Sequence, residues 1–226
     1  MKKDRSKINI LVACEESQAV AKEFRKRGHE AYSCDLQECS GGHPEYHIRV
    51  DVLPILNGNC KFITDDGTTH FIDSKWDLII AHPPCTYITN AGARWLYAGK
   101  KLNIERYTKG LEGCLFLMRM LAADCDKIAV ENPIPSNIFG LPKYSQIIQP
   151  YEYGHPYSKK TCLWLKGLPK LTPTQIVQDY TPYVSSGSYS RTHDPKYKGA
   201  SRKGGASKQR SKTFQGIAKA MAEQWG

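Results

Sequence analysis

The alternation of short aliphatic runs with amphipathic stretches predicts an α/β protein built on a doubly wound, mostly parallel sheet. Three observations lead there. Strand-like runs rich in aliphatic residues recur along the first 130 residues. Apolar residues at helical spacing separate several of them. Polar clusters follow the runs directly, at the carboxyl ends where such sheets bind ligands.

Ile8 to Ala13 reads as the first buried strand. Val20 and Phe24 repeat at helical spacing within Ser17 to Arg27, and Gly28 ends that pattern. Glu30 to Cys34 and His47 to Val50 are two further strands. Trp76 to Ala81 is the strongest apolar strand, stopped sharply by His82-Pro83-Pro84. Leu111, Leu115, Met118 and Ala122 mark one face of a long helix, roughly Ile104 to Ala123. Lys127 to Val130 resumes strand, stopped at Pro133.

Ile147-Ile148 and Thr161 to Leu165 are strand-like, and residues 166–185, with three prolines, form a connecting stretch. Residues 186–212 read as a Gly/Ser-rich loop. From 213 to 226 a terminal helix presents Phe214, Ile217, Ala218, Met221, Ala222 and Trp225 on one face, which docks it on the body. At 226 residues the chain suits a single domain spanning 1–226.

Apolar residues at 40% and charged ones at 24% exclude wholesale disorder. The apolar runs are too short to cross a bilayer, and no secretory signal is visible, so a cytoplasmic protein without a membrane partner is expected. Eight cysteines, none in a CxxC pair, argue for thiols rather than a disulfide framework or a metal site. The net charge of +10 is uneven. Residues 1–7 contribute +3 and residues 186–212 contribute +7, so the rest is neutral. A neutral body with a basic loop suits binding of a polyanion such as DNA. Arg202, Lys203, Lys208 and Arg210 are the candidate phosphate contacts.

Cys85 follows two prolines at the end of the strongest strand, where rigid placement favours a nucleophile. Glu131-Asn132 ends the next strand, so parallel pairing brings Glu131 beside Cys85. A carboxyl group there acts as general acid if burial raises its pKa. Asp35 and Asp51 end the second and third strands. An acid at the former place commonly accepts ribose hydroxyls, although either aspartate alone is also a turn former. The loop Cys14-Glu15-Glu16-Ser17 lacks glycine, which disfavours a pyrophosphate and leaves room for a cofactor without phosphates, such as S-adenosylmethionine.

Pro84-Cys85 after one strand and Glu131-Asn132 after the next resemble the cytosine-C5 DNA methyltransferases, in particular their short bacteriophage and prophage members. The stretches from Ala81 to Tyr87, Glu131 to Pro133, Gly154 to Leu165 and Arg210 to Ala222 carry the resemblance in order. It implies a Rossmann-like sheet of the S-adenosylmethionine-dependent methyltransferase type. It also implies that Cys85 attacks carbon 6 of cytosine, that Glu131 protonates ring nitrogen 3, and that Asn132 supports the substrate. Ala13 to Ser17, including Cys14, Glu15, Glu16 and Ser17, would line the cofactor's amino-acid end, with Pro83 beside it, Asp35 at the ribose and Asp51 by the adenine. The target base would be flipped from the duplex. Thr86 stands where the family usually has Gln, a separate recognition domain is missing, and Lys159 and Lys160 stand in for the family's cationic residues. Two alternatives remain at this stage: an enzyme acting on another pyrimidine, such as a free nucleotide, RNA or a modified base, and a catalytically silent nucleic-acid-binding relative.

Overall fold

The structure, a computed structural model, describes residues 7–93, 95–183 and 212–226. Its centre is a sheet of seven strands: β1 (Asn9–Ala13), β2 (Glu30–Cys34), β3 (His47–Ile48), β4 (Leu78–Ala81), β5 (Ile128–Pro133), β6 (Gln146–Ile148) and β7 (Thr161–Lys166). They lie in the order β6-β7-β5-β4-β1-β2-β3. β1 runs parallel to β2 and β4, β2 to β3, and β4 to β5, whereas β7 is antiparallel to both of its neighbours. The chain winds outward from β1 to β3, then crosses back to β4 on the other side of β1. The switch point therefore lies at the carboxyl ends of β1 and β4. This is the doubly wound, mostly parallel Rossmann-like architecture that the strand rhythm predicts.

Both faces of the sheet are covered, which is why its central strands read as near-continuous apolar runs rather than alternating ones. Ile10, Val12, Leu78 and Ile80 turn to one face, where they meet Val20 and Phe24 of helix α1 (Ala19–Arg25) and Ile217, Met221 and Trp225 of helix α3 (Gln215–Trp225). Leu11, Ile79 and Val130 turn to the other, against Cys114, Leu117 and Met120 of helix α2 (Ile104–Leu121). The terminal helix docks as its apolar face requires. Full burial of side chains such as Met221 and Trp225 stabilises the fold by about 1.5–3 kcal/mol each. Trp225 Nε1 also donates to Pro169 O at 3.1 Å, so its polar edge is satisfied.

The structure corrects one reading of α2. The apolar face that Leu111, Leu115 and Met118 mark is exposed, and the buried residues are Gly110, Cys114, Leu117 and Met120. The buried face mixes large side chains, Leu117 and Met120, with small ones, and the close approach at Gly110 comes from Phe139 in the turn Asn137–Phe139. A Cβ at Gly110 would overlap the Phe139 ring, so glycine is what allows the helix to seat there. The strand over His47–Val50 is also shorter than expected, ending at Ile48. Among the described residues no helix is long and apolar enough to cross a membrane.

Candidate active site

Parallel register sets the centre of the site. Ala81 of β4 pairs with Val130 of β5, so the next residues, His82 and Glu131, stand level. His82 Nδ1 lies 3.0 Å from Glu131 Oε2, with side chains 9% and 14% exposed. Burial alone would lower the imidazole pKa, but the hydrogen bond and charge of Glu131, backed by Glu15, raise it. Burial alone would raise the Glu131 carboxyl, but the hydrogen bond and charge of His82, and then Lys159, hold it below the ordinary carboxylate value. The expectation of a carboxyl raised by burial therefore reverses. Both shifts favour the charged form of the pair, an imidazolium against a carboxylate.

The backbone beyond β4 is tied down on several sides. His82 N–H donates to Ala13 O at 2.9 Å, anchoring the strand end to β1. Asn132, fully buried, donates from Nδ2 to Pro83 O at 2.9 Å and fixes the turn that presents Cys85. Cys85 itself is half-buried. Past it, Arg106 of α2 donates to Gly92 O and Thr86 O and stacks over Tyr87. Ser136 N–H donates to Ile88 O, so the loops after β4 and β5 are laced together. His82 Nε2 and Asn132 Oδ1 are buried without a hydrogen-bond partner among the described residues.

The loop between β1 and α1 takes sharp turns without glycine, since Cys14 and Gln18 both have left-handed backbones, at φ 58° and 56°. Glu15 turns inward, and its two carboxylate oxygens accept from Val20 N–H and Ala21 N–H at 2.7 and 3.2 Å. It caps the amino terminus of α1, and burial raises its pKa despite His82 and those donors. Glu16 is buried, while Cys14 and Ser17 are half-buried at the mouth of the loop. Burial, with Asp35 next, pushes the Cys14 thiol up, and burial pushes Cys162 up to about 11. Those thiols stay protonated and are poor nucleophiles.

Asp35 and Asp51 each close a turn. Asp35 Oδ1 accepts from Gln37 N–H at 2.9 Å, and Asp51 Oδ1 from Leu53 N–H at 3.0 Å. Both act on the Cys14 thiol, which places them at the same rim of the sheet. Beside them Leu36 and Val50 are exposed, an apolar pair next to two acids.

On the far side, Lys159 precedes β7 and acts electrostatically on both His82 and Glu131. Lys160 is exposed. A small pocket brings Glu131, Lys159 and Thr161 together with Lys212, Thr213, Phe214 and Ile217, so the start of the terminal segment closes over the site. Arg202, Lys203, Lys208 and Arg210 lie outside the described residues.

The structure thus brings together Pro83, Glu131, Asn132, Lys159 and Glu15 around His82, and separately Cys14, Asp35 and Asp51. Residue patterns do not single out His82, although its place opposite Glu131 follows from aligning the two strand ends. Leu36 and Val50 escape such patterns because an exposed apolar residue has no periodic signal.

No protein-family model matches the chain, and no curated protein matches it. Among solved structures, the methyltransferase EhMeth of Entamoeba histolytica is similar at 12% identity and a TM-score of 0.38, over 80% of this chain and 61% of that one. The chain thus matches about 61% of that protein's length.

Proposed function

We propose that the protein is an S-adenosylmethionine-dependent DNA cytosine-C5 methyltransferase in which Cys85 is the nucleophile and the His82–Glu131 pair handles the ring-nitrogen proton. One observation carries the reading: a thiol presented on the loop after β4 and a buried, ion-paired carboxylate near the carboxyl end of the adjacent parallel strand β5 lie beside the switch point of the sheet.

The rim of Cys14, Asp35 and Asp51 fits such a cofactor. Exposed Leu36 and Val50 suit an apolar ring face, and the two acids suit hydroxyl and amino donors. The glycine-free loop offers no phosphate cradle, and this cofactor has no phosphate. When bound, the cofactor supplies an electrophilic methyl group.

The residues of the chain then divide the work. Cys85 adds as its thiolate to carbon 6 of a flipped cytosine while nitrogen 3 takes a proton relayed from His82 through Glu131. Carbon 5, made electron-rich, would take the methyl group from the bound cofactor, whose sulfur would keep the electrons of the broken bond. Loss of the carbon 5 proton to a base expels the sulfur from carbon 6, and the nitrogen 3 proton returns to the pair. Asn132 and the two prolines hold Cys85 in place. Among the described residues His82 Nε2 and Asn132 Oδ1 lack partners, at about 1–3 kcal/mol each, and a polar ring in the site offers hydrogen bonds to both. The basic segment around Arg202 to Arg210 supplies contacts to the DNA backbone.

The test is nucleoside mass analysis of DNA incubated with the protein and cofactor. 5-Methylcytosine formed by the native chain and absent with Cys85→Ala supports the reading. Its absence from varied DNA, with cofactor binding intact, contradicts it.

A further inference from the structure

An apolar stripe runs the length of α2 on the side away from the sheet. Ile104, Leu111, Leu115 and Met118 are 72%, 40%, 63% and 41% exposed, and Thr108 and Ala122 continue the line. Positions 104, 108, 111, 115, 118 and 122 alternate steps of four and three. That is the seam of a helix that packs lengthwise on another helix. An aligned aliphatic row of this kind differs from scattered exposed side chains and marks an interaction surface.

Charge identifies the occupant. Glu112 and Arg119 border the stripe on one side, seven residues apart, and both are exposed. In two antiparallel helices related by a two-fold axis, residues equidistant from the axis face each other. An axis crossing between Leu115 and Phe116 sets Glu112 of each copy opposite Arg119 of the other. Leu111, Leu115 and Met118 of both copies then mesh along the centre. Glu105 and Lys109, paired at 2.6 Å, form the polar rim on the same flank. The segments outside the described residues do not complement this face, because 1–6 and 184–211 are polar, basic and nearly without aliphatic side chains.

We propose that the outer face of α2 packs against the same face of a second copy of the chain, antiparallel about a two-fold axis, to form a dimer. Beyond Ala122 the stripe continues into a cleft of about 290 Å³ lined by Leu53, Leu56, Asn57, Arg119, Ala122 and Ala123, which widens the surface available to the second copy. The dimer leaves the carboxyl ends of the strands open, since α2 covers a face of the sheet. It does not depend on the reaction proposed above.

Sedimentation velocity of the full chain tests it. The native protein should sediment at twice the 25.5 kDa chain mass at micromolar concentration. Leu115→Glu should sediment as a monomer with an unchanged circular dichroism spectrum, and its melting temperature should no longer depend on protein concentration. Glu112→Arg alone should weaken the dimer roughly fivefold to tenfold by setting like charges opposite each other, and Glu112→Arg with Arg119→Glu should restore it. A monomeric native chain, a dimer that survives Leu115→Glu, or a double reversal that fails to restore the single one overturns the proposal.

Discussion

His82 Nδ1 stands 3.0 Å from Glu131 Oε2 because β4 and β5 are parallel and in a register that makes these two residues level. The contact sets the His82 imidazole behind the Glu131 carboxylate and favours the protonated form of the ring. It therefore couples the fold's stability and its proposed chemistry to one proton.

The pH dependence of stability follows with a definite sign. Glu131 is lowered, so its stabilising contribution is complete above the ordinary glutamate value of 4.5 and fades as pH falls through its folded-state pKa. His82 is raised, so its contribution is complete below 6.5 and fades as pH rises through its own folded-state pKa. Urea denaturation should therefore show the pair's full effect between those values. His82→Gln should destabilise the protein by about 3 kcal/mol in that window, because it leaves a buried carboxylate unpaired. If methylation is assayed, kcat should fall by about 100-fold or more and its fall at high pH should disappear. A variant as stable as the native chain at every pH would show that the contact is weak.

Gly110→Ala should be destabilising by about 1–3 kcal/mol, although the same change in an exposed helix interior is stabilising by about 1 kcal/mol. The new methyl meets the Phe139 ring, so Phe139→Leu should recover part of the loss. Thermal denaturation of the single and double variants decides between a close contact and ordinary helix propensity.

Asp35→Ala should reduce S-adenosylmethionine affinity by about tenfold or more in titration calorimetry, the cost of removing a charged hydrogen bond. Its effect on stability should be small, since the carboxylate caps only a turn at the sheet rim. An unchanged affinity would remove Asp35 from the cofactor site.

Replacing Arg202, Lys203, Lys208 and Arg210 with serine should weaken DNA binding evenly over sequences. Every phosphate that these side chains neutralise in the native protein should, once released, flatten the plot of log affinity against log salt by about 0.9. Fluorescence anisotropy at several salt concentrations reads this directly, and an unchanged slope would mean that these side chains do not touch the backbone.

The sheet is legible because burial on both faces writes Leu78–Ala81, and the first half of Ile128–Pro133, as apolar runs, with prolines near their ends. The rim aspartates are legible for the same reason, each following a strand. Register is not written in residue patterns, so these match Glu131 with Cys85 and pass over its immediate partner His82. The face of α2 is ambiguous in sequence because two apolar stripes share the helix, and packing against the sheet and Phe139 selects the one with Gly110 and Cys114. The turns at Cys14 and Gln18 are hidden because residues other than glycine rarely adopt positive φ. Glu15 reads as a cofactor contact because its role as helix cap depends on the direction those turns impose.

The most direct test is intact mass spectrometry of the protein with a 5-fluorocytosine oligonucleotide and S-adenosylmethionine, since fluorine at carbon 5 blocks the proton loss that releases the enzyme. A stable adduct carrying both the DNA and one methyl group, absent in Cys85→Ser, is the predicted result. No adduct over a varied set of sequences, from protein that binds both DNA and cofactor, would contradict covalent methyl transfer through Cys85.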